Sequence, residues 1–201
     1  VLVNYLYENN FPIEKSKLKG RKQEETLHKP IEDVKKLLAK VKAFNEDLYL
    51  CCLFTYCCLL RPHQEIRLLK WEDFTSDLSH IRLSGNQVKS KRNRIVPISP
   101  KIREILKRKE GHLNIFTGLK QPYSRSYFIQ LWRRFKRLNP EVDKDIPLYS
   151  FRHSGAIDIF KRTGSITKLQ KAMGHSSMTV SLTYLRGLEV AELTESDMPM
   201  V

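Results

Sequence analysis

Asp47 to Leu60 is the stretch that most limits how this chain can fold. Its residues are apolar on nearly every side, with Thr55 the polar exception. A helix of that all-round character has no face to give to water and belongs inside a protein. It is too short for the roughly 20 apolar residues that cross a bilayer, so it reads as the central helix of a globular domain. It stops at Arg61-Pro62, because proline biases the residue before it away from the α region.

The neighbouring sequence supplies elements to surround that helix. Ile31, Val34, Leu37, Leu38, Val41 and Phe44 recur at helical spacing behind Pro30, which suits a first helical turn. A further helix is expected from about His63 to Leu69. Three short strands follow, at Trp71 to Phe74, His80 to Ser84 and Arg94 to Ile98. The loop from Gly85 to Asn93 is too long for a tight hairpin turn. Helical patterns then occupy 100–110, 124–138, 150–162, 165–173 and 177–186, with a polar, proline-bearing loop from Asn139 to Pro147. Gly174 ends one of these helices, and Ser176 or Ser177 can cap the next. In that last helix Met178, Leu182 and Leu185 would face a core, with Tyr184 on another side. The fold class is therefore α+β, mainly α. Residues 1–26 read as the end of a preceding domain and a charged linker, 27–187 as one compact domain, and 188–201 as a short amphipathic segment and tail.

Charge narrows the choice of partner. Lys and Arg outnumber Asp and Glu by 36 to 22, for a formal charge of +14 and a pI near 9.7. Such a balance suits a polyanion, most simply nucleic acid, whose phosphates Lys and Arg neutralise. No apolar stretch is long enough for a membrane span and no secretory signal opens the chain, so a membrane partner is not expected. The chain opens at Val1 without an initiator methionine, as a piece of a longer protein would. Four cysteines fall in two adjacent pairs, Cys51-Cys52 and Cys57-Cys58, without the paired C-x-x-C spacing of a zinc site. They read as reduced core cysteines.

Four short motifs carry chemistry. Arg61 lies in Leu60-Arg61-Pro62-His63-Gln64-Glu65-Ile66, followed by Leu69-Lys70-Trp71. Left to itself, the Arg61–Glu65 pair would be a surface ion pair worth ~0.3–0.5 kcal/mol. Lys89, Lys91, Arg92 and Arg94 make the second hairpin loop basic, able to reach a phosphate backbone. Arg152 lies in Leu148-Tyr149-Ser150-Phe151-Arg152-His153. His175 follows Gly174, and Tyr184 stands nine positions after it. Arg152 and His153 in the first turn of a helix oppose the helix dipole, and His175 stands at the entry of another helix. Basic groups in those places are best tolerated around an anion such as phosphate.

Taken in this order and spacing, the motifs resemble the catalytic domain of tyrosine recombinases, the phage integrase family, over roughly residues 28–190. The resemblance implies an integrase-type catalytic domain, mostly helical with a small antiparallel β-sheet at one edge, from an integrase of a bacterial mobile element. It would act in the cytoplasm at the nucleoid, on double-stranded DNA, as a homo-tetramer assembled from monomers. It also implies DNA cleavage and rejoining through a 3′-phosphotyrosyl link, with no cofactor and no metal. Tyr184 would be the nucleophile, Arg61, Arg152 and His175 the phosphate ligands, and Lys89 the proton donor, with Lys91 its nearest competitor. Lys89, Lys91, Arg92 and Arg94 would contact DNA, and Leu188, Val190, Leu193 and Met198 would dock on a neighbouring protomer. Residues 1–26 would close an amino-terminal DNA-binding domain. Two departures stand out. Glu65 lies four positions after Arg61 where the family usually has three, and Tyr149 replaces a histidine. A tyrosine, with a pKa near ~10, is a poor general base at neutral pH. His153 is expected to be structural, for instance as a partner to backbone. A DNA-binding protein that keeps the fold without catalysis, or a type IB topoisomerase-like strand transferase, are the alternatives.

Overall fold

Helix α3 (Glu46–Cys57) forms the middle of the domain, as its apolar sequence demands. Leu48, Tyr49, Cys51, Cys52, Leu53, Phe54 and Thr55 are all buried. Thr55, the polar exception, satisfies its hydroxyl inside the helix by donating to the Cys51 carbonyl at 2.7 Å. Each fully buried Leu or Phe in such a core stabilises it by roughly 1.5–3 kcal/mol. The computed structural model of the 201-residue chain describes residues 2–11, 28–88, 93–185 and 188. In order these form α1 (Leu2–Glu8), α2 (Val34–Phe44), α3, β1 (His80–Leu83), β2 (Arg94–Pro97), α4 (Pro100–Ile105), α5 (Tyr127–Leu138), α6 (Ser150–Thr163), α7 (Ile166–Met173) and α8 (Met178–Thr183).

Local chemistry explains the junctions that matter. Asn45 serves two helices at once. Its N–H donates to Val41 at the end of α2, while its side chain accepts from Leu48 N–H at the start of α3. Helix α5 buries Phe128, Trp132 and Phe135 and leaves Arg133, Arg134 and Arg137 exposed. Trp132 Nε1 donates to the Ile146 carbonyl at 3.0 Å, which holds the polar loop before α6 against the core. Strands β1 and β2 pair antiparallel, Ile81 opposite Val96 and Leu83 opposite Arg94. Their alternation turns Ile81, Leu83, Val96 and also Arg94 inward, and leaves Ile95 69% exposed. A second, smaller core of Leu59, Ala156, Leu169 and Met173 joins α6 to α7, with Tyr184 and Leu185 partly buried against it. Among the described residues no helix is long and apolar enough to cross a membrane.

Three sequence expectations are corrected. Trp71 to Asp73 is a 3₁₀ turn and not a strand. The Asp73 carboxylate accepts from Lys70 N–H at 2.8 Å and tightens the backbone, leaving only a single bridge from Phe74 to Ile81. The helix expected over 63–69 is a turn ending in a 3₁₀ segment at Ile66–Leu68, drawn in by the Glu65 side chain reaching back to Arg61. In α8, Met178 and Leu182 are 42% and 49% exposed, and the residue buried on that helix is Ser181. The inward face is taken by a hydroxyl because it meets an imidazole. All four cysteines are free, with Cys51, Cys52 and Cys58 buried.

Candidate active site

The site begins where α3 ends. Leu59 takes a left-handed backbone with φ of 51°, a conformation that costs a non-glycine residue roughly 1–2 kcal/mol. This reversal turns the chain from α3 into the short turn that carries Arg61. Glu65, wholly buried, then closes on Arg61 twice. It accepts from the Arg61 backbone N–H at 2.9 Å and from Nη1 at 2.7 Å. Burial rules out the marginal surface ion pair that the sequence allowed. Removing one partner of such a buried pair typically costs about 3–5 kcal/mol.

Arg152 enters from the first turn of α6 and is 1% exposed. Its Nη2 donates to the Met173 carbonyl at 2.8 Å, which ties α6 to the end of α7. Its Nε and Nη1 are buried with no well-formed hydrogen bond. Burial and the Arg61 charge both push its pKa down, yet a guanidinium stays protonated at neutral pH. Unsatisfied buried donors of this kind are rare in folded proteins and call for an explanation.

His175 follows the left-handed Gly174 that closes α7. Its Nδ1 lies 3.0 Å from the Ser181 hydroxyl. Burial, then Arg152, Arg61 and Arg94 in turn, push its pKa down to about 3, so the ring is neutral at physiological pH. Tyr184 follows α8, its ring centroid 5.4 Å from that of His153 and 5.5 Å from that of His175. Its phenol stands beside the Arg152 guanidinium. Tyr149, directly before α6, has its ring 5.7 Å from His28 and 6.1 Å from His63. Burial raises its pKa, so the phenol stays protonated and can donate but not act as a base. His153 is 4% exposed, and its Nδ1 finds no backbone partner.

Arg94 departs from expectation. Grouped by sequence with the cations of a solvent loop, its side chain is in fact 7% exposed. The strand alternation turns it inward, where Nη2 donates to the carbonyls of Cys58 at 3.2 Å, Leu59 at 3.4 Å and Ala172, and Nη1 lies 3.6 Å from Glu65. The signal was present in the sequence, because Arg94 and Val96 must share a strand face. Lys89, Lys91 and Arg92 lie outside the described residues. The structure thus gathers Arg61, Arg94, Arg152, Glu65, Tyr149, His175 and Tyr184 into one cluster. Sequence reasoning missed the burial of Glu65 and the part played by Ser181. A cleft lined by Arg94, Gln170, Lys171, Gly174 and His175 borders the cluster on one side. Three guanidinium groups face one carboxylate, so among the described residues the cluster holds an excess of positive charge.

Comparison with known proteins places this arrangement. Residues 30–189 match the phage integrase family. The chain belongs to that family. It is 26% identical over 184 residues to the integrase of Escherichia phage P2, an alignment covering 89% of this chain and 48% of that protein. It therefore spans about half the length of that relative. The fold is similar to the catalytic domain of bacteriophage HP1 integrase, at 25% identity and a TM-score of 0.60, covering 79% of this chain and 87% of that one. It is also similar to the Tn1549 transposon integrase in complex with circular intermediate DNA, at 16% identity and a TM-score of 0.56, covering 88% and 65%. The matched span takes in every residue of the cluster, including the two positions that depart from the usual pattern, Glu65 and Tyr149.

Proposed function

We propose that this chain is the catalytic domain of a site-specific DNA recombinase of a bacterial mobile element. It breaks and rejoins duplex DNA through a tyrosyl-phosphate link. The observation that carries this reading is the excess charge of Arg61, Arg94 and Arg152 over Glu65 beside a tyrosine hydroxyl, with Arg152 Nε and Nη1 buried without a hydrogen-bond partner. A scissile phosphate supplies the missing anion and the missing acceptors at one stroke.

Tyr184 attacks the phosphorus, and the bond to the 5′-oxygen breaks, leaving a 3′-phosphotyrosyl link and a free 5′-hydroxyl. Arg61 and Arg152 hold the non-bridging oxygens as their charge grows in the transition state, a task that planar guanidinium forks suit. His175 accepts from Ser181 at Nδ1 and donates to the phosphate from Nε2. The imidazole of His153, whose Nδ1 has no hydrogen-bond partner and whose ring lies 5.4 Å from that of Tyr184, is the group placed to receive the phenol proton. Tyr149 contributes a hydrogen bond only. Lys89 protonates the departing oxygen. The bond energy is kept in the covalent link, so the reaction draws on neither a nucleotide nor a metal. The protein meets its DNA as a monomer and exchanges strands as a tetramer in the bacterial cytoplasm, with residues 188–201 docking on a neighbouring protomer.

The test is trapping on a nicked suicide substrate, read as an SDS-resistant adduct. The wild-type protein forms it; Tyr184→Phe does not, while still binding DNA. An adduct from Tyr184→Phe would sink the assignment, and binding by the wild type without an adduct would favour a DNA-binding protein that keeps the fold. Lys89→Ala stops cleavage of ordinary DNA and recovers when sulfur replaces the bridging 5′-oxygen. A thiolate, whose conjugate acid has a pKa near ~8.5, leaves without a proton. Rescue of Lys91→Ala instead would move the role to Lys91.

A further inference from the structure

Arg94 is a buried cation to which the proposed reaction assigns no step of its own. It stands at the start of β2, opposite Leu83, on the inner face of the hairpin. Burying a guanidinium is costly unless its donors are met. Here Nη2 meets three carbonyls that belong to two different parts of the site, while Nε and Nη1 have no hydrogen-bond partner and Nη1 faces Glu65 at 3.6 Å. Cys58 and Leu59 end α3 and lead directly into Arg61, while Ala172 lies in the last turn of α7, just before Gly174 and His175. The same guanidinium approaches Glu65, the carboxylate that holds Arg61 by two hydrogen bonds. Gly174 is fitted to it closely: a Cβ there would lie 2.9 Å from Arg94 Cδ, and its φ of +66° favours glycine in any case.

We propose that Arg94 is a positioning residue for the phosphate site: it spans the α3 and α7 termini, fixes the spacing between Arg61 and His175, and shares Glu65 with Arg61. Its effect on charge follows from that sharing. Were Glu65 paired with Arg61 alone, the carboxylate would neutralise the guanidinium meant for the phosphate. With Arg94 drawing on the same carboxylate, Arg61 keeps more of its positive field for the substrate. Arg94 therefore acts through Arg61 and His175. The inference rests on the recombinase reading above, and wild-type protein controls for it.

The experiment compares Arg94→Met and Arg94→Lys with the wild type in single-turnover adduct formation. Two scissile linkages are used, an ordinary phosphodiester and a methylphosphonate in which one charged non-bridging oxygen is replaced by methyl. Thermal melting is followed in parallel. A neutral linkage asks less of the arginines, so a defect in arginine placement shrinks on it, while a general loss of structure does not. Arg94→Met should cleave the phosphodiester on the order of 10²-fold more slowly, the size expected for reacting groups misplaced by about 1 Å. On the methylphosphonate it should return to within about tenfold of the wild type. Arg94→Lys keeps the charge but not the three-carbonyl span, and should show a smaller defect of the same pattern. Wild-type rates on the phosphodiester, or an equal slowing on both linkages, would overturn the proposal. So would failure of both variants to melt cooperatively, which would make Arg94 a requirement of the fold alone. If the wild type forms no adduct, it is the recombinase reading that fails.

Discussion

The two helices that bring chemistry to the site are held in opposite ways. The first turns of α6 are sunk in the protein, with Ser150, Phe151, Arg152, His153, Ser154 and Ala156 all 5% exposed or less. Gly155 lies so close to α3 that a Cβ would fall 2.1 Å from the Tyr56 carbonyl oxygen. Helix α8 is six residues long and buries only Ser181, while Met178 and Leu182 face outward. Arg152 is thus fixed by the core, whereas Tyr184 follows a helix anchored through the Ser181–His175 contact and is only partly buried against the smaller core. The difference suits the proposed chemistry. A phosphate pocket works best when its donors need no rearrangement, while a nucleophile joined covalently to DNA must move with the strand it holds.

The comparison breaks most visibly at Gly155. Gly155→Ala forces a methyl into a backbone carbonyl, and overpacking a core costs about 1–3 kcal/mol, with backbone clashes at the upper end or beyond. A loss of about 3 kcal/mol in urea unfolding is expected. A loss under about 0.5 kcal/mol would mean that α6 is not locked to α3 as described.

Acid should separate the two sides next. The pKa of His175 falls from its usual 6.5 to about 3 in the folded protein, first through burial and then through the arginines. Between those values the unfolded chain binds a proton that the folded one refuses, so stability is full above pH 6.5 and is lost as pH drops toward 3. His28, His63 and His153, all shifted down mainly by burial, add in the same direction. His175→Asn should flatten the decline by less than about 1.4 kcal/mol per pH unit, because part of the ring meets solvent. An unchanged slope between pH 7 and pH 5 would show that neither burial nor the arginines depress this imidazole.

Substitutions on the outer face of α8 should do little. Met178→Ala and Leu182→Ala should each change stability by no more than about 0.5 kcal/mol, as expected of exposed sites. A larger loss in the free protein would show that α8 is held more firmly than its burial indicates. The smallest effect is expected at Tyr149. Tyr149→His restores the family's usual residue and should leave single-turnover cleavage unchanged or faster. A fall beyond ~100-fold would give the phenol an essential hydrogen-bonding role of its own.

Much of this was written locally in the chain. The apolar run 47–60 could only be an interior helix, and the 3.6-residue stripe of α2 and the Trp132 and Phe135 face of α5 could only lie against it. The order of Arg61, Arg152, His175 and Tyr184 identified the family, because each motif combines a helix boundary with an unusual charge, and both are local properties. Tertiary structure decided how those charges are balanced. Nothing near Arg94 in sequence reveals that its guanidinium will reach the carbonyls of Cys58, Leu59 and Ala172, since those contacts span up to 78 residues. Glu65 looked like half of a surface pair until the left-handed turn at Leu59 carried it inside. Helical spacing pointed Met178 and Leu182 at a core, but burial depends on what stands opposite, and opposite Ser181 stood a histidine. Periodicity tells which residues share a face; only the packed fold tells what that face meets.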